Sequence, residues 1–352
     1  MPRKRIITSV LALILVLFLG VGGYLRSQVI VHPAHWGETM GTSYSIKISG
    51  KAKKPELAEL YEKIKERLEE INGQMSTWDP DSEISRFNHS ASTEPFACSQ
   101  AFAFVVKRAL ELAQSTDGAF DPTLQPLLNL WGFGSEGEER RIPGDAEIAE
   151  ARKHTGWAKL SIANGAGIQK KEPKLSLALG AIAKGYGVDA IATILKGSGF
   201  ENWFVEIGGE IAVLGLNPDG VPWKIGIQQP TTNPMDQTLR GKLNLTNGAV
   251  ATSGDYRNYI EEDGRIYSHL LDPRTGRAVR SQTASVTVVA PRCMDADGIA
   301  TALFVMGVDE GLRWVERRAD IEALFLVRRA DGEISEKFSS GFEAATVYTS
   351  LY

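Results

Sequence analysis

Apolar positions repeat with helical spacing in some stretches and alternate in others. Leu57, Leu60, Tyr61, Ile64, Leu68 and Ile71 fall three or four apart, which predicts an amphipathic helix over residues 56–71. Residues 99–114 are apolar on most sides, the pattern of a buried helix, and Thr116-Asp117-Gly118 ends it. Asp145 can cap a further helix running to His154. Gly180 leads into a helix over 181–196, and two more are expected over 294–306 and 309–317. Strand patterns cover 42–49, 175–179, 203–207, 210–216, 223–228, 237–245, 249–253, 284–290, 321–327 and 333–339. Residues 121–134 read as a Gly/Pro/Trp-rich loop, residues 135–141 as a polar surface insert, and 32–37 as a short linker. Several strands follow one another without a helix between them. That order predicts an α+β fold with mostly antiparallel pairing, not a doubly wound parallel sheet.

The N-terminus has a different pattern. Arg3, Lys4 and Arg5 precede a run from Ile6 to Leu25 without a charged residue, and Arg26 closes it. About 20 apolar residues suffice to span a bilayer as a helix. The basic cluster would stay on the cytoplasmic side and place the remainder outside. Residues 1–28 are therefore read as an uncleaved anchor, with a signal peptide as the rival reading. Residues 29–37 are the linker and 38–352 the globular body. This segment carries four of the 39 basic residues, so the body holds 35 basic against 43 acidic residues, a net charge near −8. A nucleic-acid binder would usually be basic, so that class is excluded. An acidic body that handles phosphates needs local positive charge. Cys98 and Cys293, the only cysteines, supply neither a disulfide framework nor a Cys-rich metal site.

Three segments carry candidate chemistry. Gly180-Ala-Ile-Ala-Lys-Gly-Tyr-Gly187 places glycines and Lys184 at a helix start, where free amides can bind an anion. It has neither the Walker spacing nor the Rossmann spacing, and plain helix packing is the alternative. Asp297 and Thr301 lie four apart and share a helix face. A carboxylate and a hydroxyl suit Mg²⁺; a carboxylate stabilising the helix dipole is the other reading. His269 follows an apolar strand and precedes a polar turn, a context that fits a general base or a structural histidine.

Further segments combine with these. They are Thr39-Met-Gly-Thr42, which opens the first strand, Met-Ser-Thr-Trp ending at Trp78, Phe-Asp-Pro-Thr at Phe120, and Leu-Trp-Gly-Phe-Gly at Leu130. Ile-Gly-Gly-Glu ends at Glu210, and Ala-Thr-Ser-Gly-Asp-Tyr-Arg-Asn-Tyr starts at Ala251. Together with Ala-Lys-Gly-Tyr, Ser-His-Leu-Leu-Asp-Pro-Arg-Thr-Gly and Ala-Asp-Gly-Ile-Ala-Thr, this order resembles the ApbE family, the FAD:protein FMN transferases, from Met40 to about Gly307. The resemblance implies a tunnelling-fold-like α+β body. It implies FAD as substrate, Mg²⁺ as cofactor, and FMN transfer to a Thr or Ser hydroxyl of a target protein with release of AMP. The implied targets are subunits of electron-transfer or sodium-pumping complexes, and the implied place is the periplasmic side of a bacterial inner membrane.

Carried over residue by residue, the family's flavin and adenine contacts fall on Met40, Trp78, Ala119, Phe120, Asp121, Lys184 and Leu271. Its metal ligands fall on the carbonyl of Ala181, on Asp297, and on Ala300 and Thr301. His269 is the implied base, ahead of Asp255 and Asp272. One position departs: Ala178 stands where the family usually has an Asp that contacts FAD. Two other functions fit the same residues, an FAD pyrophosphatase giving FMN and AMP and a non-catalytic anchored flavin-binding protein.

Overall fold

The computed structural model describes residues 32, 34–50, 54–136, 139–163, 167–231, 233, 236–256, 258–262 and 265–352. The anchor reading of residues 1–28 lies outside the described residues. Among the described residues no helix is long and apolar enough to cross a membrane.

The first half contains β1 (His35–Thr39), β2 (Thr42–Ile48), α1 (Lys54–Met75), α2 (Glu83–His89), β3 (Phe96–Ala97), α3 (Gln100–Ser115), α4 (Gln125–Leu130), α5 (Asp145–Arg152), β4 (Leu160–Ala163) and β5 (Gly167–Lys170). The second half begins with α6 (Ala183–Gly197). It continues with β6 (Trp203–Ile207), β7 (Glu210–Leu214), β8 (Trp223–Gln228), β9 (Leu239–Leu245), β10 (Asn247–Gly254), β11 (Tyr259–Glu262), β12 (Arg265–Ser268), β13 (Leu271–Asp272), β14 (Arg277–Ala278) and β15 (Thr283–Ala290). It closes with α7 (Cys293–Met306), α8 (Val308–Val315), β16 (Glu322–Arg328), β17 (Ile334–Phe338), α9 (Phe342–Thr346) and β18 (Thr349–Ser350).

An eight-stranded sheet in the order β1-β2-β6-β7-β10-β15-β16-β17 organises the molecule. All its pairings are antiparallel, so the α+β expectation holds. Alternation along the strands serves two faces. On one face Ile46, Val205, Ala212 and Ala249 pack with Ile64 and Leu68 of α1 and Val188 and Ile191 of α6. On the other, Phe204, Val213, Val250, Leu324 and Leu326 pack against Trp223, Ile225 and Leu243 of the sheet β18-β9-β8. Helix α7 is buried almost throughout beneath the first face, beside Val286 and Val288 of β15.

Four expectations are corrected. Residues 35–37 do not belong to a linker; they pair with Tyr44–Ile46 in β1–β2. Met40-Gly41 does not open a strand. It is the two-residue tip of that hairpin, with φ +50 and +70, the twist a tight hairpin requires. The loop expected over 121–134 contains α4, begun by a Pro in its first turn where no amide donor is needed. Residues 175–179 join no ladder among the described residues; Ala178 N–H donates to Pro122 O and the Asn88 side chain pairs with Leu177. Its Oδ1 accepts Leu177 N–H at 2.7 Å and its Nδ2 donates to Leu177 O at 2.9 Å. Cys98 and Cys293 are both free.

Candidate active site

Lys184 and Asp297 converge where the N-termini of α6 and α7 meet. Gly185 permits the approach: a Cβ there would collide with the Cys293 carbonyl of α7. Two carboxylates tie the helices reciprocally. Asp189 of α6 accepts the N–H groups of Cys293 and Met294 at 2.9 and 3.0 Å, capping α7 from outside. Asp297 of α7 accepts Gly185 N–H at 3.0 Å, capping α6 in return. The dipole reading puts Asp297 at the start of its own helix; the bond it makes is to the first turn of α6 instead.

Asp297 is buried and faces Lys184, whose Nζ stands 3.9 Å from Oδ1. The nearer partner of Lys184 is Glu210, at 2.9 Å. One ammonium thus sits between two buried carboxylates. Burial raises both above the usual carboxylate range, with Lys184 opposing, and Glu210 is pushed up to about 7. Burial lowers the Lys184 pKa, but the two carboxylates outweigh it and keep the group protonated. Oε2 of Glu210 is buried and has no hydrogen-bond partner among the described residues. On the next turn of α7, Thr301 Oγ1 shares a hydrogen bond with Ser253 Oγ at 3.0 Å.

These groups fit a hard divalent cation. Asp297 Oδ1 has no hydrogen-bond donor among the described residues, and the cluster carries one more buried carboxylate than ammonium. A carboxylate, a hydroxyl and backbone carbonyls are the oxygen donors such an ion takes. Among the described residues no three His, Cys, Asp or Glu side chains gather as a metal cage. The candidate set needs none, since Asp297 is its one carboxylate.

His269 lies at the end of β12. Its Nδ1 and its backbone N–H both reach the carbonyl of Asn258, each at 3.0 Å. A carbonyl only accepts, so Nδ1 carries the proton and Nε2 is left with a free lone pair. Burial lowers its pKa, reinforced by the charges of Lys184 and Arg140 and opposed by the Asn258 carbonyl and Asp255. The ring is therefore neutral near pH 7, with Nε2 able to accept a proton. Phe133 meets it edge-on at 6.3 Å, and Trp131 Nε1 donates to Gly276 O at 3.1 Å, fixing the following turn. Asp255, an alternative base, is gripped by both terminal nitrogens of Arg328 at 2.6 and 2.8 Å. Asp272 is paired with Arg274 at 3.0 Å.

The expected flavin contacts divide. Met40, held at positive φ, lies over α6: a Cβ at Gly187 would come within 2.8 Å of its Cε. Asn72 Nδ2 donates to Thr39 Oγ1 at 3.0 Å and ties the end of α1, and the turn bearing Trp78, to that hairpin. Trp78 is 73% exposed, an open aromatic face. Ala119, Phe120 and Leu271 are buried; the Ala119 and Phe120 N–H groups donate to the backbone carbonyl and hydroxyl of Thr116, and Leu271 pairs with Ala278. The Asp121 carboxylate is taken up by Thr123 Oγ1 at 2.6 Å and by the N–H groups of Thr123 and Trp157 at 2.8 and 3.0 Å. Ala178 N–H donates to Pro122 O at 2.8 Å, which places Ala178 beside that turn. Ala181 and Ala300 adjoin the junction through the start of α6 and the body of α7. Glu210, Ser253 and Asn258 were not singled out from the sequence, although each lies in a segment that carries the resemblance.

The chain is similar to several known proteins. The chain is 46% identical over 307 residues to an FAD:protein FMN transferase of Vibrio cholerae, covering 87% of this chain and 90% of the relative. It is 36% identical over 298 residues to one of Escherichia coli K12, covering 84% of each. The structure of the flavin transferase ApbE from Vibrio cholerae superposes with a TM-score of 0.81 at 43% identity, covering 90% of this chain and 99% of the other. The apo flavinyl transferase ApbE of Pseudomonas stutzeri gives 0.82 at 38% identity, covering 90% and 97%. The ApbE family model matches residues 40–325, and the chain belongs to the ApbE family.

Proposed function

We propose that this chain transfers the FMN half of FAD to a Thr or Ser hydroxyl of an acceptor protein and releases AMP. The observation that carries the reading is the junction of α6 and α7, where Lys184 and Asp297 meet between two helix N-termini in a chain similar to FAD:protein FMN transferases. Phosphoryl transfer depends on positioning and charge neutralisation more than on covalent help. Mg²⁺, held by Asp297, Thr301 and the carbonyls of Ala181 and Ala300, would supply charge neutralisation for the pyrophosphate. Lys184 adds a fixed positive charge, and Glu210 holds its ammonium in place. Met40 and Trp78 offer apolar surface to the flavin. His269 Nε2 accepts the proton of the acceptor hydroxyl as its oxygen bonds to the FMN phosphorus and the bond to AMP breaks.

The antiparallel sheet backed by helices supports a tunnelling-fold-like core. The charge-free run after Arg3, Lys4 and Arg5 supports a single anchor in a bacterial inner membrane with the body on the periplasmic side. An acceptor there would be a subunit of an electron-transfer or sodium-pumping complex. The test is incubation with FAD, Mg²⁺ and a purified flavin-acceptor subunit of a sodium-pumping complex, followed by mass spectrometry. A covalent FMN adduct on a Thr or Ser is expected; free FMN and AMP without an adduct would make the chain an FAD pyrophosphatase.

A further inference from the structure

A cleft of about 490 Å³ opens one residue away from His269. Its origin is a fork in the backbone. Leu270 and Val279 are joined by a hydrogen bond of 2.9 Å from Val279 N–H to Leu270 O. Beyond them the two chains part. Residues 265–268 pair with β11 in a sheet of two strands, while residues 280–282 run on into β15, where Gln282 O takes Arg328 N–H at 2.8 Å. The cleft lies between, lined by Arg265, Tyr267 and Ser268 on one side and Arg280 and Gln282 on the other, with Asp255 beside them.

The hydrogen-bonding direction of β12 is set by His269, whose N–H donates to Asn258 O. Bonded positions alternate along an antiparallel pair. In the register Tyr259↔Ser268, Arg265 and Tyr267 therefore turn their backbone groups to β11. Ile266 and Ser268 turn theirs to the cleft. Among the described residues no strand meets them there. Folded proteins usually blunt such an edge, yet Ile266 is 43% exposed on it. Asp255 is held by Arg328, whereas neither Arg265 nor Arg280 has a carboxylate partner among the described residues. Arg280 is fixed instead over the Tyr267 ring, 5.0 Å from its centre, and donates to the Tyr267 hydroxyl at 3.0 Å.

We propose that the acceptor protein enters as an extended segment that adds to the free edge of β12, with a carboxylate of that segment meeting Arg265 and Arg280. This rests on the transferase reading. A strand added there runs toward His269, the residue after Ser268, and carries its hydroxyl to the base. Recognition through main-chain groups accepts more than one acceptor sequence, with the arginines selecting among them.

Ile266→Pro tests the edge. It removes an N–H that points into the cleft and none that pairs with β11, a position where an edge strand tolerates proline. The KM for the acceptor subunit should rise about tenfold or more, as loss of a well-formed hydrogen bond and its neighbours implies, with FAD binding unchanged. Ile266→Ala keeps the N–H and should stay near wild type, while Arg265→Glu should raise the same KM. A wild-type KM in Ile266→Pro, or an equal loss in Ile266→Ala, overturns the proposal. Hydrogen exchange on the wild-type chain reads docking independently of folding in the variants. With the same acceptor subunit and no FAD, the amides of Ile266 and Ser268 should slow, and unchanged exchange overturns the proposal. Protection without later labelling would reject the transferase reading alone; labelling without protection would reject the docking edge alone.

Discussion

Asp297→Asn separates the two roles the structure gives this residue. As a cap, Asp297 accepts Gly185 N–H at 3.0 Å, and an Asn Oδ1 can accept the same bond. As a charge, it faces Lys184 and would hold the metal; an amide cannot replace it there. Burial raises the Asp297 pKa, so in metal-free protein ionisation opposes folding once pH rises above the usual carboxylate range. The neutral amide lacks that penalty. The Asn variant should therefore melt no lower than the metal-free wild type. Asp297→Ala should melt lower by a few degrees, since a buried unsatisfied N–H costs about 1–3 kcal/mol. Flavin transfer should fall in both variants by at least about 10²-fold, the loss seen when one electrostatic stabiliser is removed from an active site. The assay is acceptor labelling at saturating FAD and Mg²⁺, beside a melting curve in chelator. Wild-type labelling by a well-folded Asn variant would reduce Asp297 to a cap and refute the metal assignment.

Three further outcomes follow from the same geometry. Because burial lowers the His269 pKa, transfer should hold steady through neutral pH and decline on the acid side below about 6.5. His269→Gln should lose about 10²–10⁴-fold and lack that acid limb, and a variant rate equal to wild type throughout pH 6 to 9 would remove His269 as base. Gly185→Ala drives a methyl into the Cys293 carbonyl; it should cost about 1–3 kcal/mol and lower activity by displacing Lys184 and Asp297, and a wild-type melting curve would contradict the close helix contact. Ala178→Asp supplies the carboxylate that the resemblance leads us to expect at this position and should tighten FAD binding by about 1–3 kcal/mol, measured by flavin fluorescence titration; unchanged affinity would show that this site binds FAD without it.

What could be read from the sequence depended on how local its cause was. Helices α1, α3, α6 and α7 announce themselves through apolar spacing, and strands β6 to β10 through alternation between turn signals. Helix α4 was hidden because Pro, Trp and Gly suggest a loop, although Pro126 merely occupies a first turn that needs no donor. Leu175 to Leu179 has a strand's composition, but its partners are scattered: the Asn88 side chain, 89 positions from Leu177, the Pro122 carbonyl and the Lys170 ammonium. The site divides in the same way. Asp297, Lys184 and His269 stood out by residue type and spacing. Their states did not. The Gly185–Asp297 cap spans 112 positions, and the His269 tautomer is fixed by the Asn258 carbonyl. Glu210, the nearest partner of Lys184, emerges only when β7 is laid beside α6.

The central claim is tested most directly by incubating the purified chain with FAD, Mg²⁺ and a flavin-acceptor subunit and reading covalent flavin by in-gel fluorescence. The account predicts a fluorescent acceptor band that is lost when Mg²⁺ is chelated and in Asp297→Asn. An unlabelled acceptor with Mg²⁺ present, or a band that survives both chelation and Asp297→Asn, would contradict it.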